Sequence, residues 1–263
     1  MRITGHFSVI QTKNKELCAL CASVVNSYVP ILFSEVTPLA LAIFDLDNTL
    51  LAGDSDYLWG RYLADTGAVD RAWYEEENER FYRAYEEGSL DIMEFLRFSL
   101  RPLKEHPLAQ LQAWRERFLR EEIDPIILPP SRALVARHAQ AGDTLMIITA
   151  TNTFVTAPIA ERLGVKHLIA TDPEMINGRY TGEVAGIPCF RNGKVERLQQ
   201  WLRSHGENLQ GSSFYSDSHN DIPLLEQVER PVAVDPDQML RRHAREQGWP
   251  VISLRQPQPA TSP

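Results

Sequence analysis

The chain has 263 residues, 43% of them apolar, and a formal net charge of −8. That is enough apolar material for a full core, in one domain or in one domain carrying an insertion. The acidic balance and the lack of a basic run argue against a nucleic-acid partner. No run of about 18 apolar residues offers to span a membrane, and three cysteines without a secretory framework point to a reducing, cytoplasmic setting.

Residues 1–38 differ in character from the rest of the chain. An apolar patch at 17–25 comes after Lys13 and Lys15, and Pro30 and Pro38 come next. Cys18 and Cys21 have CxxC spacing, but no second ligand pair is present and no strand–helix pattern places them at a helix start, which disfavours a zinc or redox role. A signal peptide is disfavoured too, because the patch is short and no clean cleavage site precedes the domain. The segment is read as a loosely attached extension of uncertain status, or as translation from a start codon upstream of the functional one.

From residue 39 strands and helices alternate. Residues 39–46 read as a buried strand, and 55–125 as helical and rich in aromatics and acids. Residues 131–141 form a helix ending at Gly142, and 144–149 a second buried strand followed by a helix over 154–163. Residues 167–171 are a third strand, and Asn177-Gly178 before 180–184 marks a hairpin. A helix over 194–204, a strand over 212–216 and another over 232–234 complete the pattern, with 256–263 as a flexible tail. The alternation predicts an α/β fold with a doubly wound, mainly parallel sheet, in which ligands bind at the carboxyl ends of strands. Asp45, Asp47, Thr149 and Asp217 fall at those ends.

Asp45-Leu46-Asp47-Asn48-Thr49 places carboxylates where a strand meets the core, a costly position unless a metal, hydrogen bonds or chemistry holds them. The pattern offers one acid as nucleophile and the next as acid and base, with a site for a hard cation; the plainer alternative is a capping Asp and a turn. Asp217-Ser218-His219-Asn220-Asp221 brings further acids to a neighbouring strand end. Such a cluster repels itself without a cation, and all-oxygen ligands select Mg2+; a helix N-cap is the alternative for Asp217. Alone, Lys194 reads as a solvated lysine and Thr149 as a strand-end hydroxyl. Their order, Asp-x-Asp, Thr, Lys, then Asp with Asn-Asp, is what singles them out. His167 and His219 are left without acid–base work by the aspartate pair, and Cys189 has no partner in the pattern.

That order resembles the haloacid dehalogenase-like (HAD) superfamily over about residues 40–255. The DxDxT motif matches Asp45 to Thr49, the strand ending in Ser or Thr matches Thr149, and the lysine motif matches Asn192-Gly193-Lys194-Val195. The acidic motif matches Ser216 to Asp221, with serine in place of the usual glycine. The resemblance implies a Rossmann-like core over 39–54 and 126–255 with an inserted helical cap over 55–125. With Gly178-Arg179-Tyr180-Thr181-Gly182 that placement resembles the phosphoserine-phosphatase-like branch, subfamily IB. The resemblance further implies that Asp45 attacks phosphorus and that Asp47 protonates the leaving alcohol and then activates water. Mg2+ is implied on the Asp45 carboxylate, the Asp47 backbone carbonyl and Asp217, oriented by Asn220 and Asp221. Thr149 and Lys194 would hold phosphoryl oxygens. An acid at Asp47 favours a phosphatase over a dehalogenase, since halide leaves without a proton; a phosphotransferase and a phosphate-binding scaffold stay as alternatives.

For the substrate, the resemblance puts an acid that meets a substrate amine at Asp54, seven residues after Asp47, although Asp54 also reads as a helix cap. Ala150, Thr151 and Asn152 beside Thr149, together with Lys194 and Asn220, are implied substrate-binding positions. Trp59, Asn78, Phe81, Tyr82 and Tyr85 lie on helical spacings as core or substrate-facing residues of the cap. The runs around Asp45, Thr149 and Asp217 are similar to bacterial subfamily IB members that include a histidinol-phosphate phosphatase. That substrate offers an amine and an imidazole but no carboxylate. Phosphoserine is the alternative and would want a cation, for which Arg80, Arg83 and Arg97 are available. The implied partner is a small phosphorylated metabolite, with no nucleic acid and no membrane; oligomeric state stays open.

Overall fold

The computed structural model describes residues 40–87 and 89–255. The expectations for residues 1–38, including Cys18 and Cys21, for the tail 256–263 and for the Tyr85 side chain lie outside the described residues.

The first strand, β1 (Leu41–Phe44), is buried at every position. It sits inside a six-stranded sheet of order β3-β2-β1-β6-β7-β8, with β2 (Thr144–Asn152), β3 (His167–Thr171), β6 (Ser213–Ser216), β7 (Arg230–Val234) and β8 (Val251–Ile252). Every pairing within it is parallel. Alternation along β1 divides the core in two. Ala42 and Phe44 face one apolar cluster with Ile147, Val155 and Ile159, while Leu41 and Ile43 face another with Met146, Ile148, Phe214 and Leu198. Helices cover both faces, as a parallel sheet requires: α5 (Pro129–Ala141), α6 (Thr153–Arg162), α7 (Asn192–His205), the short α8 (Ile222–Leu225) and α9 (Gln238–Gln247).

Two differences from the expected strands bear on the site. The first strand is shorter than 39–46, because Asp45 leaves the sheet and opens a tight turn in which Asn48 takes φ 56°. The second runs past Thr149 to Asn152, because β3 continues to pair with it through Asn152 and Thr171 after a register shift. Thr149 is therefore inside the strand, not at its end. The α9 helix and the β8 strand have no counterpart among the expected elements.

Between β1 and α5 the chain forms α1 (Ser55–Asp65), α2 (Arg71–Glu86), α3 (Ile92–Glu105) and α4 (Leu108–Phe118). Asp54 caps α1 and Asp91 caps α3, and Pro107 precedes α4, where its missing N–H is harmless. A hairpin of β4 (Pro173–Ile176) and β5 (Arg179–Val184) turns at Asn177 (φ 52°) and Gly178 (φ 76°), the two positive values that a two-residue turn wants. The hairpin packs on α3. Gly182, at φ 85°, lies against the Lys104 stem, and Arg97 Nε reaches Glu183 at 3.1 Å. Among the described residues no helix is long and apolar enough to cross a membrane.

Strands β1, β2 and β3 run toward one edge and β6, β7 and β8 toward the other. The order reverses between β1 and β6, and the crevice beyond their carboxyl ends is where such sheets bind ligands.

Candidate active site

Asp45 is fixed at that crevice by its own backbone, whose N–H donates to Tyr215 O at 2.9 Å. The turn behind it is pinned by Leu46, Leu50 and Leu51, all fully buried, and closed by the Leu51 N–H on Leu46 O at 3.0 Å. Thr49 is thereby held under two carboxylates. Its hydroxyl lies 2.9 Å from Asp217 Oδ1 and 3.2 Å from Asp45 Oδ2, and accepts the Asp217 N–H at 3.0 Å.

The other Asp45 oxygen accepts from Lys194 Nζ at 2.7 Å, and the same ammonium donates to Asp221 Oδ2 at 2.8 Å. Lys194 is 4% exposed, so this is a buried ion triad and not the solvated lysine that its sequence alone suggests. It can enter because Gly193 precedes it: a Cβ there would sit 2.1 Å from Pro188 O. Asp221 is completed by the Ser216 hydroxyl at 2.7 Å. That serine, where the family pattern has glycine, holds the lysine's second partner.

Asp47 faces the same space from the turn. Oδ1 accepts the Ser55 N–H at 2.7 Å, while Oδ2 accepts from the Thr151 hydroxyl at 2.7 Å and lies 3.4 Å from Thr149 Oγ1. Ala150 lines the cavity between these threonines. Asn152 does not line it. Its side chain accepts the Val155 N–H at 3.2 Å as the cap of α6, and Nδ2 lies 3.4 Å from Asp56 Oδ1, so its expected substrate contact is replaced by a place one layer behind the wall. Asn220 lies on the wall, its Oδ1 accepting from Arg191 Nε at 2.7 Å. Asp54 lines the cavity and is also the α1 cap, receiving the Asp56 and Tyr57 N–H groups at 2.9 and 3.0 Å, both on Oδ1.

Burial raises these acids. It pushes Asp45 up to about 7 against the pull of Lys194, and Asp47 up to about 6, with Asp54 adding to the rise. Asp217 is held well above the usual carboxylate range by burial and then by Asp45. Burial works to discharge Lys194, but Asp221 and Asp45 outweigh it and keep the ammonium. Among the described residues no three His, Cys, Asp or Glu side chains form a metal cage. The Asp45 and Asp217 carboxylates, drawn to one hydroxyl, with Asp45 raising Asp217, are a hard, anionic oxygen pair that fits a Mg2+ ion completed by main-chain oxygen and water.

Comparisons with known proteins show the family. Residues 42–226 match the family of haloacid dehalogenase-like hydrolases. The chain belongs to the haloacid dehalogenase-like hydrolases. It is 47% identical over 219 residues to a histidinol-phosphatase of Neisseria meningitidis, covering 82% of this chain and 99% of that protein. It is 34% identical to phosphoserine phosphatase SerB1 of Mycobacterium tuberculosis, over 82% of this chain and 71% of the relative. A crystal structure of a Bordetella pertussis protein of unknown function is 48% identical, with a TM-score of 0.78 over 81% of this chain and 97% of that one.

In this HAD hydrolase a cavity of about 970 Å3 opens from the aspartates toward α1–α3. Trp59, Asn78, Phe81 and Tyr82 line it, as their spacing allowed; Arg80 and Arg97 do not. Arg80 pairs with Glu77 and Glu94, and Arg97 with Glu183. His219 Nδ1 lies 2.8 Å from Asp237 and His167 packs on Trp201, so neither imidazole joins the aspartate pair. Cys189 is buried and burial pushes its thiol up to about 12, which suits an inert residue.

Three further residues of the site escape a reading of the sequence. Asp56 lines the cavity two positions after Asp54; on a helical pattern its spacing gives no sign that it faces inward. Tyr74 lines it because Gly60 admits its ring: a Cβ at Gly60 would meet Tyr74 Oη at 1.8 Å. Arg191, which holds Asn220, adopts φ 49° and ψ −121°, an unusual conformation for a side-chain-bearing residue near a site that no sequence pattern announces.

Proposed function

We propose that this chain is a Mg2+-dependent phosphomonoester phosphatase of the cytoplasm that hydrolyses histidinol phosphate, in histidine synthesis, through an aspartyl-phosphate on Asp45. The observation that carries the reaction is the meeting of Asp45, Asp47, Lys194 and Asp217 at the point where the strand order reverses. Residues 39–54 and 126–255 then act as the catalytic core, and the helices within 55–125 as a cap over it.

An Asp45 oxygen forms a bond to phosphorus as the ester P–O bond breaks in line with it. Asp47, which burial raises to about 6, gives a proton to the departing alcohol oxygen, while the Lys194 ammonium at 2.7 Å favours the ionised Asp45 that attacks. Asp47 then accepts a proton from water, whose oxygen bonds to phosphorus while the bond to Asp45 breaks, and inorganic phosphate leaves. The Thr151 hydroxyl, 2.7 Å from Asp47, fixes the rotamer for both transfers. Lys194 restrains the nucleophile and its charge faces the phosphoryl oxygens, with Thr149, Ala150, Thr151 and Asn220 around them. When bound by Asp45, Asp217 and the Asp47 carbonyl, Mg2+ supplies neutralisation of the phosphoryl charge.

For the alcohol, the arginines on the cavity wall are already paired among the described residues: Arg61 with Glu122 at 2.7 Å, and Arg71 with Asp65 and Glu75. No further arginine waits there for a substrate carboxylate, whereas the free Oδ2 side of Asp54 suits an amine. This supports histidinol phosphate over phosphoserine, in line with the named activity of the 47% identical relative. The test compares kcat/KM for histidinol phosphate, phosphoserine and p-nitrophenyl phosphate with Mg2+ and after chelation. Histidinol phosphate is expected to lead by about tenfold or more, with turnover lost to chelator and restored by Mg2+. Equal turnover of all three esters contradicts the substrate, and turnover that survives chelation contradicts the metal.

A further inference from the structure

Asp56 stands in the first turn of α1, on the cavity wall and partly buried. Its partners are neutral: Ser99 Oγ of α3 donates to Oδ1 at 2.9 Å and lies 3.2 Å from Oδ2, and Asn152 Nδ2 is 3.4 Å from Oδ1. Asp54 has two backbone N–H partners on one oxygen. Among the described residues neither acid forms an ion pair. Two carboxylates on one partly dry wall without a counter-charge are unfavourable until a cation arrives.

Aromatic rings complete the wall. Tyr74 is 8% exposed and stacks on Phe98 at 5.3 Å with an interplanar angle of 19°. Phe98 lies 5.1 Å from Phe81. Burial and then the charges of Asp56 and Asp54 raise the Tyr74 phenol, which marks the ring as a neighbour of both acids. Trp59, on the same wall and 2% exposed, has an indole N–H with no hydrogen-bond partner among the described residues. Such a buried donor is rare in a finished core. Carboxylates beside aromatic faces form a box for a flat or compact cation, which gains from ring and charge together.

We propose that Asp56 is a specificity residue of this site: with Tyr74 and Phe98 it takes a second cationic group of the substrate, an imidazolium or similar ring cation, beyond the amine that meets Asp54. The inference rests on the phosphatase reading above and deepens it by giving the ring its own partner. Phosphate esters with an amine but no second cation leave Asp56 without a counter-charge, and so are discriminated against at this position rather than at the phosphoryl end.

The test is a specificity ratio, kcat/KM for histidinol phosphate over kcat/KM for p-nitrophenyl phosphate, measured on the full chain with Mg2+ for wild type, Asp56→Asn and Asp56→Glu. Asparagine keeps the size and the Ser99 contact but removes the charge; glutamate keeps the charge. The ratio is expected to fall by about tenfold or more in Asp56→Asn, as for loss of a buried charged contact, and to recover in part in Asp56→Glu. A high wild-type ratio that survives Asp56→Asn overturns this inference and leaves the phosphatase reading standing. Equal losses of ratio in both variants also overturn it, since shape and not charge then sets the preference. A wild-type ratio near one overturns the histidinol phosphate assignment and this inference together, while turnover of p-nitrophenyl phosphate reports on the reaction separately.

Discussion

Lys194 joins the stability of the site to its chemistry. One ammonium, buried to 4% exposure, separates Asp45 from Asp221 at 2.7 and 2.8 Å. Removing one partner of a buried ionic group leaves charge without compensation and destabilises by about 3–5 kcal/mol. Lys194→Met is therefore expected to lower the unfolding free energy measured in urea by that amount and to abolish turnover. A stability equal to wild type contradicts the triad. Thr49 makes the complementary contact on the opposite side: its single hydroxyl proton serves two carboxylates.

Among the elements, the carboxyl-terminal strand and its neighbours tie the fold to the catalytic turn. Asp235, at the end of β7, accepts the Leu254 N–H at 2.9 Å and Arg255 Nη1 at 2.7 Å, and Arg255 Nη2 donates to Asn48 O at 2.6 Å. Burial alone would raise the Asp235 carboxyl, but the Ser253 hydroxyl, the Leu254 N–H and Arg255 outweigh it and hold it below the usual range. Because the folded-state value lies below the unfolded one of about 3.9, the stabilisation is complete above that pH and fades as pH falls through the folded value. Asp235→Asn is expected to unfold at lower temperature than wild type at pH 7, with the gap closing below about pH 4. A gap that persists at acid pH contradicts the charge argument. None of this was readable from the chain, since β8 has two residues, too few for alternation to register. By contrast β1, β2 and β3 were legible because each contains a short apolar run, and the hairpin because Asn177-Gly178 announces its turn.

On the scale of the molecule, the sheet order brings together residues far apart in the chain: Asp45 on β1's exit, Asp217 on β6's, Thr149 within β2, and Lys194 at the start of α7. The order of motifs was legible, because Asp45, Lys194 and Asp217 stand at strand or helix ends and Thr149 follows a short apolar run, although β2 continues past it. The partners around them were not: Arg191, Asp56 and Tyr74 are set by packing between elements, which leaves no short-range signature. Asn152 misled for the same reason, since its cap role depends on α6 starting directly after β2. In the proposed reaction one of these acids, Asp45, is the point through which the chemistry passes. The most direct measurement is turnover of p-nitrophenyl phosphate by purified Asp45→Asn with Mg2+, beside its circular dichroism spectrum. A folded protein with no detectable turnover is predicted, and turnover close to wild type contradicts the assignment of Asp45 as nucleophile.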